Sequence, residues 1–265
     1  MKITVVTISF NQSVFLKQCI DSVLNQDWAE IEYIVVDPGS TDGSRELIES
    51  YGNKIIAVFE KDNGPADGLN KGFALATGDI FSYLNSDDYL LPKTFQRISN
   101  HFQEFEADVI YGNSIVVNAK DTVLRKVYPD VFDLEACAYG ACILIQPSSF
   151  FTRRAFQLTN GFNEKNRSNW DGELFIDMAL AGCKFKKVSD TYSAYRIHDQ
   201  SITGTGRLEE LHHSYKQRMF EKIKGRSFTE NDKLIQRYYQ LKRKILNPLD
   251  TLERLRFGPV FGGSK

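Results

Sequence analysis

A chain of 265 residues with 42% hydrophobic and 25% charged content can bury one large core, or one core with an appendage, which excludes intrinsic disorder as its general state. The formal net charge of −1 gives no electrostatic reason for a nucleic-acid partner. No apolar run approaches the ~18 residues that a bilayer crossing needs, which excludes a predicted membrane span.

The run Ile3-Thr4-Val5-Val6-Thr7-Ile8 is short and β-branched, and it reads as a buried strand that begins the fold. Phe15, Ile20, Val23 and Leu24 then recur near helical spacing up to Asn25-Gln26-Asp27, and Tyr33-Ile34-Val35-Val36 predicts the next strand. Gly43-Ser44 opens a second helix, residues 55–59 read as a third strand, residues 67–76 as a helix and residues 79–84 as a fourth strand. Strands alternating with helices of this length imply parallel pairing and right-handed crossovers, hence an α/β sheet covered on both faces. Such sheets bind ligands where their strands end, and the strand ends here carry Ser9 and Asn11, Asp37, Glu60 and Asp62, and Asp87 and Asp88.

Further along, one or two strands are expected over 109–127, and a strand over 142–151 leads into a helix near 153–158. A helix over 170–181 is expected to face Leu174, Phe175, Met178 and Leu180 inward. After Gly206 the pattern changes to long, charged, weakly amphipathic helices broken at Asn247-Pro248, so the chain divides into an α/β domain over 1–205 and a helical extension over 206–265. Between Arg207 and Phe257 the extension holds 13 Lys and Arg against 7 Asp and Glu, which makes it basic while the rest of the chain is acidic.

The sharpest local signal is Asn85-Ser86-Asp87-Asp88, two carboxylates directly after the apolar strand Ile80-Phe81-Ser82-Tyr83-Leu84. Carboxylates suit Mg²⁺ or Mn²⁺, which commonly bridge a few protein oxygens to substrate phosphates. By itself the pair is equally an Asp-Asp turn or a helix cap. Four other motifs surround it in order: Val6-Thr7-Ile8-Ser9-Phe10-Asn11, then Val35 to Gly43, then Asp62-Asn63-Gly64-Pro65-Ala66-Asp67-Gly68-Leu69-Asn70-Lys71-Gly72, then Ala76-Thr77-Gly78-Asp79. Together they resemble the inverting family 2 glycosyltransferases of the GT-A fold, over residues 2 to about 203, with Pro38 where that family more usually has a second Asp.

The resemblance implies a mostly parallel GT-A-like sheet flanked by helices, forming a catalytic domain that binds a nucleoside-diphosphate sugar and Mg²⁺ or Mn²⁺. It places Asp37 and Ser9 at the nucleotide base, Asp67 and Lys71 near the ribose or diphosphate, Asp87 at the ribose or donor sugar, and Asp88 on the metal. Asp171, in Ser168-Asn169-Trp170-Asp171-Gly172-Glu173, stands in the position of the general base, with Glu173 in reserve; the same carboxylates also fit helix capping. Gln146 and Ser148 are expected beside the reacting centre, and His198, followed by Ser201, is a further metal-ligand candidate.

The expected acceptor is a glycan or a lipid-linked glycan, of the kind used in bacterial cell-surface polysaccharide assembly. Basic residues over 216–226 and 242–244, with Leu246, Leu249, Leu252 and Leu255, fit either peripheral contact with an anionic membrane or packing against other helices or a second subunit. Cys19, Cys137, Cys142 and Cys183 lack the spacing of a zinc site or disulfide framework, and Asn11 and Gln12 cut short the apolar N-terminal run, unlike a signal peptide. A cytoplasmic location, extending to the inner face of the membrane, follows as an expectation. The rival readings are a nucleotidyltransferase that makes sugar nucleotides, which should carry a basic Gly-rich loop where Ser9-Phe10-Asn11-Gln12-Ser13 stands, and a catalytically silent nucleotide- or glycan-binding module.

Overall fold

The computed structural model of the chain describes residues 1–199 and 209–258. Its centre is β1 (Ile3–Ile8), which pairs in parallel with β2 (Ile31–Val36) on one side and β4 (Ile80–Asn85) on the other. A third strand, β3 (Ile56–Val58), closes the edge beside β2, also in parallel. Alternation along these strands feeds two cores. Ile3, Val5, Tyr33 and Val35 face one side, against α1 (Ser13–Leu24), while Val6, Ile34 and Val36 face the other, against α3 (Pro65–Ala74). Each such aliphatic side chain contributes about 1.5–3 kcal/mol on burial, so a one-residue register slip, which would invert every side chain, is strongly disfavoured.

The remainder of the sheet is mixed. Beyond β4 the order continues through β8 (Ser149–Thr152), β6 (Val109–Val117), β9 (Phe185–Arg196) and β5 (Tyr89–Leu90), with β7 (Val123–Val127) paired to β6. Strand β8 runs antiparallel to both β4 and β6, while β6 and β9 run parallel to each other. Gly112 sits at the irregularity between β6 and β9, where a Cβ would meet the Asp190 carbonyl and the Tyr192 ring.

Several sequence expectations shift at this stage. The strand expected over 142–151 forms only from Ser149, because residues 146–148 wind into a 3₁₀ turn around Pro147. The helix α7 spans Trp170–Leu180, with Leu174, Phe175 and Met178 buried but Leu180 46% exposed at its end. Among the elements with no expectation attached are α4 (Thr94–Glu104), whose Phe95 and Ile98 are fully buried, and the long strand β9.

Of the C-terminal helices, α8 (Glu209–Lys224) packs on α7 and on a short helix α5 (Leu134–Ala138), where Phe220 meets Ala138 and Tyr139. The next two are α9 (Asp232–Leu246) and α10 (Pro248–Phe257). Their break follows from Asn247, whose side-chain oxygen caps the Asp250 N–H of α10 and whose amide donates to Tyr128, Pro129 and Asp130. The expected boundary between 205 and 206 lies outside the described residues, as does Ser201.

Candidate active site

Register sets the floor of the site. Ile8 lies level with Val36 on one side and Asn85 on the other, so Ser9, Asp37 and Ser86 leave the sheet at one height. Asp37 is fully buried, and its Oδ1 accepts the N–H groups of Gly39 at 2.9 Å and Ser40 at 2.7 Å, which folds residues 37–40 into an Asx-type turn. The other oxygen, Oδ2, is buried with no hydrogen-bond partner among the described residues, and the same holds for the Ser9 hydroxyl. Orphaned buried acceptors are costly and rare, which makes two of them at adjacent strand ends candidates for contact with a ligand.

The loops around this floor are fastened independently. Asn11 donates its N–H to Ser40 and accepts from the Thr41 N–H, while Asp42 accepts from Ser13 and Ser44. Burial works against ionised Asp42, but those N–H donors outweigh it and hold its carboxyl down to about 2. The next wall is the start of α3, where Pro65 occupies the first turn and Asp67 accepts the Asn63 N–H at 2.8 Å. Lys71 stands 3.5 Å from Asp67 and also donates to the Lys61 carbonyl. Asp62 accepts the Gly64 N–H and lies so close over Gly68 that a Cβ there would meet its Oδ2 at 2.8 Å. Burial raises the Asp62 carboxyl above its ordinary value, with the Asp67 and Asp37 charges adding to the effect.

After β4 the chain turns tightly, with the Asp88 N–H on the Asn85 carbonyl at 3.1 Å. Asp88 is 1% exposed; its Oδ1 accepts the Arg196 N–H at 2.9 Å, and its Oδ2 is buried with no partner among the described residues. Burial, and then the adjacent Asp87 charge, push its carboxyl well above the ordinary range. Asp87 pairs with His198 Nε2 at 3.1 Å, and the His198 ring lies 4.7 Å from that of Phe15. Among the described residues no group of three or more His, Cys, Asp or Glu is arranged to hold a metal alone. The donor set still fits Mg²⁺ or Mn²⁺, because the orphaned Asp88 oxygen is a hard ligand and such ions keep several waters and phosphate oxygens.

Asp171 occupies the first turn of α7, half-buried, and no cation pairs with it among the described residues. Burial raises its carboxyl above the ordinary value, opposed by the N–H groups at its own helix start. The buried Tyr83 of β4 links the two carboxylates: its phenol is raised first by burial, then by the Asp171 charge, and further by that of Asp88. Gln146, in the 3₁₀ turn before β8, reaches the same strand, donating to the Tyr83 carbonyl at 2.6 Å. Ser148 does not join them; it is fully buried between β6 and β9, bonded to the Asn113 carbonyl and the Ser193 hydroxyl. Glu173 is likewise taken up elsewhere, by Asn163, Asn166, Arg218 and Lys222.

Sequence reasoning passed over Arg196 as an anchor of this corner. Its side chain is 1% exposed, donates to the carbonyls of Asp87 and Asn118, meets Asp121 at 2.8 Å, and lies over the rings of Phe15 and Tyr89. A lone arginine in a mixed polar stretch carries no local signal of burial; its partners come from three distant parts of the chain, around residues 15–18, 87–89 and 118–121.

The chain is similar to several known proteins. An uncharacterised glycosyltransferase of Nostoc sp. is 32% identical over 212 residues, covering 75% of this chain and 65% of that protein. A chondroitin synthase of Pasteurella multocida is 30% identical over 187 residues, covering 68% of this chain and 19% of the synthase. Among solved structures, S. aureus TarS 1-349 in complex with UDP-GlcNAc superposes with a TM-score of 0.68 at 17% identity, covering 97% of this chain and 73% of that one. The mannosyltransferase PcManGT of Pyrobaculum calidifontis, in complex with GDP-Man and Mn²⁺, gives 0.64 at 17%, covering all of this chain and 76% of that one. The mixed sheet flanked by helices is thus the GT-A fold, and with residues 4–186 matching the family description "Glycosyl transferase family 2", the chain belongs to glycosyl transferase family 2.

Proposed function

We propose that this chain transfers one sugar, with inversion, from a nucleoside-diphosphate sugar to a hydroxyl of a glycan or lipid-linked acceptor, assisted by Mg²⁺ or Mn²⁺. The observation that carries the proposal is the set of buried, unpartnered oxygens on Ser9, Asp37 and Asp88 at the exits of three adjacent strands. In this reading Ser9 and Asp37 receive the base and ribose, Asp67 and Lys71 border the ribose and diphosphate, and Asp87 meets the donor sugar. Asp88 and His198 are the protein's share of the metal shell. A bound Mg²⁺ or Mn²⁺ would offset the negative charge that grows on the diphosphate.

The transfer itself is a single displacement. The acceptor oxygen forms a bond to the anomeric carbon while the bond to the diphosphate oxygen breaks, and the electron pair leaves with the nucleoside diphosphate. Asp171 takes the hydroxyl proton, a role favoured by its raised carboxyl, which makes it a stronger base than an exposed aspartate. Relatives support the substrate classes: solved neighbours of this fold hold UDP-GlcNAc, or GDP-Man with Mn²⁺.

A panel of UDP-, GDP- and dTDP-sugars, each with and without Mn²⁺, tests the reading by thermal melting. A true donor at about 100 times its Kd should raise Tm by about 5–10 °C, and mainly with metal present. No shift with any sugar nucleotide would refute it, and a shift without donor hydrolysis or transfer would favour the silent binding module.

A further inference from the structure

No helix among the described residues is long and apolar enough to cross a membrane, yet the outer face of α9 and α10 is built unlike the rest of the surface. Of the 20 large hydrophobic side chains exposed among the described residues, ten fall between Leu234 and Phe257, at 41–78% exposure. They are ordered. At about 100° per residue, Leu234, Tyr238, Leu241 and Ile245 fall within about 60° of one another on α9. Gln236, Tyr239 and Arg243, on the opposite side, hold the helix to the body through the Tyr139 carbonyl, the Tyr139 ring and Asp130. The apolar stripe therefore points away from the body, and Leu249, Leu252 and Leu255 are exposed on α10, which follows it.

Charge decides what the stripe fits. The cations expected from sequence to face outward are mostly tied inward: Arg218 and Lys222 to Glu173, Lys224 to Glu135, Arg226 to Asp232, and Lys242 to Asp133. Arg237 and Lys244 instead line one flank of the stripe, exposed and without an ion pair among the described residues, while Lys233 beside them pairs with the exposed Glu230 at 2.8 Å. The acids of the same two helices are withdrawn, with Asp232 and Asp250 buried and Glu253 half-buried. Helices α9 and α10 of a second copy would therefore offer those cations no fully exposed carboxylate of their own. A bilayer with anionic headgroups offers both an apolar interior for the stripe and negative charge for its flank.

We propose that the outer face of α9 and α10 docks the protein on an anionic lipid surface, lying in the headgroup plane rather than crossing it. The inference stands apart from donor chemistry and is tested without it. The full chain is floated with vesicles of neutral phosphatidylcholine, and with vesicles containing 30% phosphatidylglycerol, at low and high salt. Binding to the anionic vesicles alone, weakened by salt, is expected. Leu241→Gln with Ile245→Gln should abolish it, and Arg237→Ala with Lys244→Ala should weaken it about 25-fold. Both pairs sit on an exposed face, so the melting temperature should stay near that of the parent chain, which separates lost docking from lost folding. Absence of binding to anionic vesicles, equal binding to both vesicle types, or a concentration-dependent dimer that the Leu241 and Ile245 changes dissociate would each overturn the proposal.

Discussion

The strand-end rim and the seam between the C-terminal helices and the body treat acidic residues in opposite ways. At the seam the fully buried acids among the described residues are matched within the chain, Asp232 by Arg226 at 2.7 Å, Asp250 by Arg243 and Arg254, and Glu173 by Arg218 and Lys222, and only the half-buried Glu253 keeps an idle oxygen. At the rim Asp37 and Asp88 keep one oxygen buried and idle, and Asp171 has no cation among the described residues. Buried acids that serve the fold are paired because an unpaired charge is expensive. Acids that await a cationic or hydrogen-bonding ligand carry that expense until the ligand arrives, and the raised carboxyls of Asp88 and Asp171 are its signature.

Substitutions on either side should separate these roles. Asp88→Asn has the largest expected effect, a loss of transfer of more than about 10³-fold together with loss of Mn²⁺-dependent nucleotide binding by calorimetry. Retained metal-dependent binding would remove Asp88 from the metal shell. Asp171→Asn should lower kcat by about 10²–10⁴-fold while nucleotide binding persists; near-normal turnover would displace it as the base.

The pH dependence of Asp171 has a definite sign. Its folded carboxyl is raised, so the base form, and with it kcat/KM, should fall as pH drops through a value above the ordinary carboxylate range. For stability the direction reverses: the neutral form is the favoured one, so its contribution is full at low pH and is lost as pH rises through the folded value. Asp171→Asn should therefore melt no lower than the parent chain at neutral pH, a difference that closes in acid.

Two structural changes are expected to act on folding instead. Arg196→Met removes a buried cation from four polar partners and two rings and should cost about 3–5 kcal/mol by urea denaturation. Glu173→Gln, the smallest, should cost about 1–3 kcal/mol, since Arg218 is 40% exposed and solvent screens part of the pair, and should leave kcat unchanged. A large loss of kcat with Glu173→Gln would break the division between the two regions.

Legibility followed the same division. The parallel half was readable because β1, β2 and β4 are β-branched runs whose polar exits fall at the same point in the pattern, and local periodicity suffices for that. The pair Asp87 and Asp88 was visible for the same reason. Strand β9 escaped notice because Phe185 to Arg196 mixes lysines, serines and aromatics, and its burial depends on β6 and β5, which lie far away in sequence. Ser148 and Glu173 looked like site residues from motif position, yet long-range partners claimed both.

The amino-acid sequence alone specified the alternating elements, the carboxylates at their ends and a basic, leucine-bearing tail, because period and composition act within a few residues. The tertiary structure decided which carboxylates keep an idle oxygen, which lysines and arginines are spent on internal partners, and which leucines are left facing out. Those outcomes depend on what a side chain meets across the fold, and no local pattern records the competition between partners far apart in the chain.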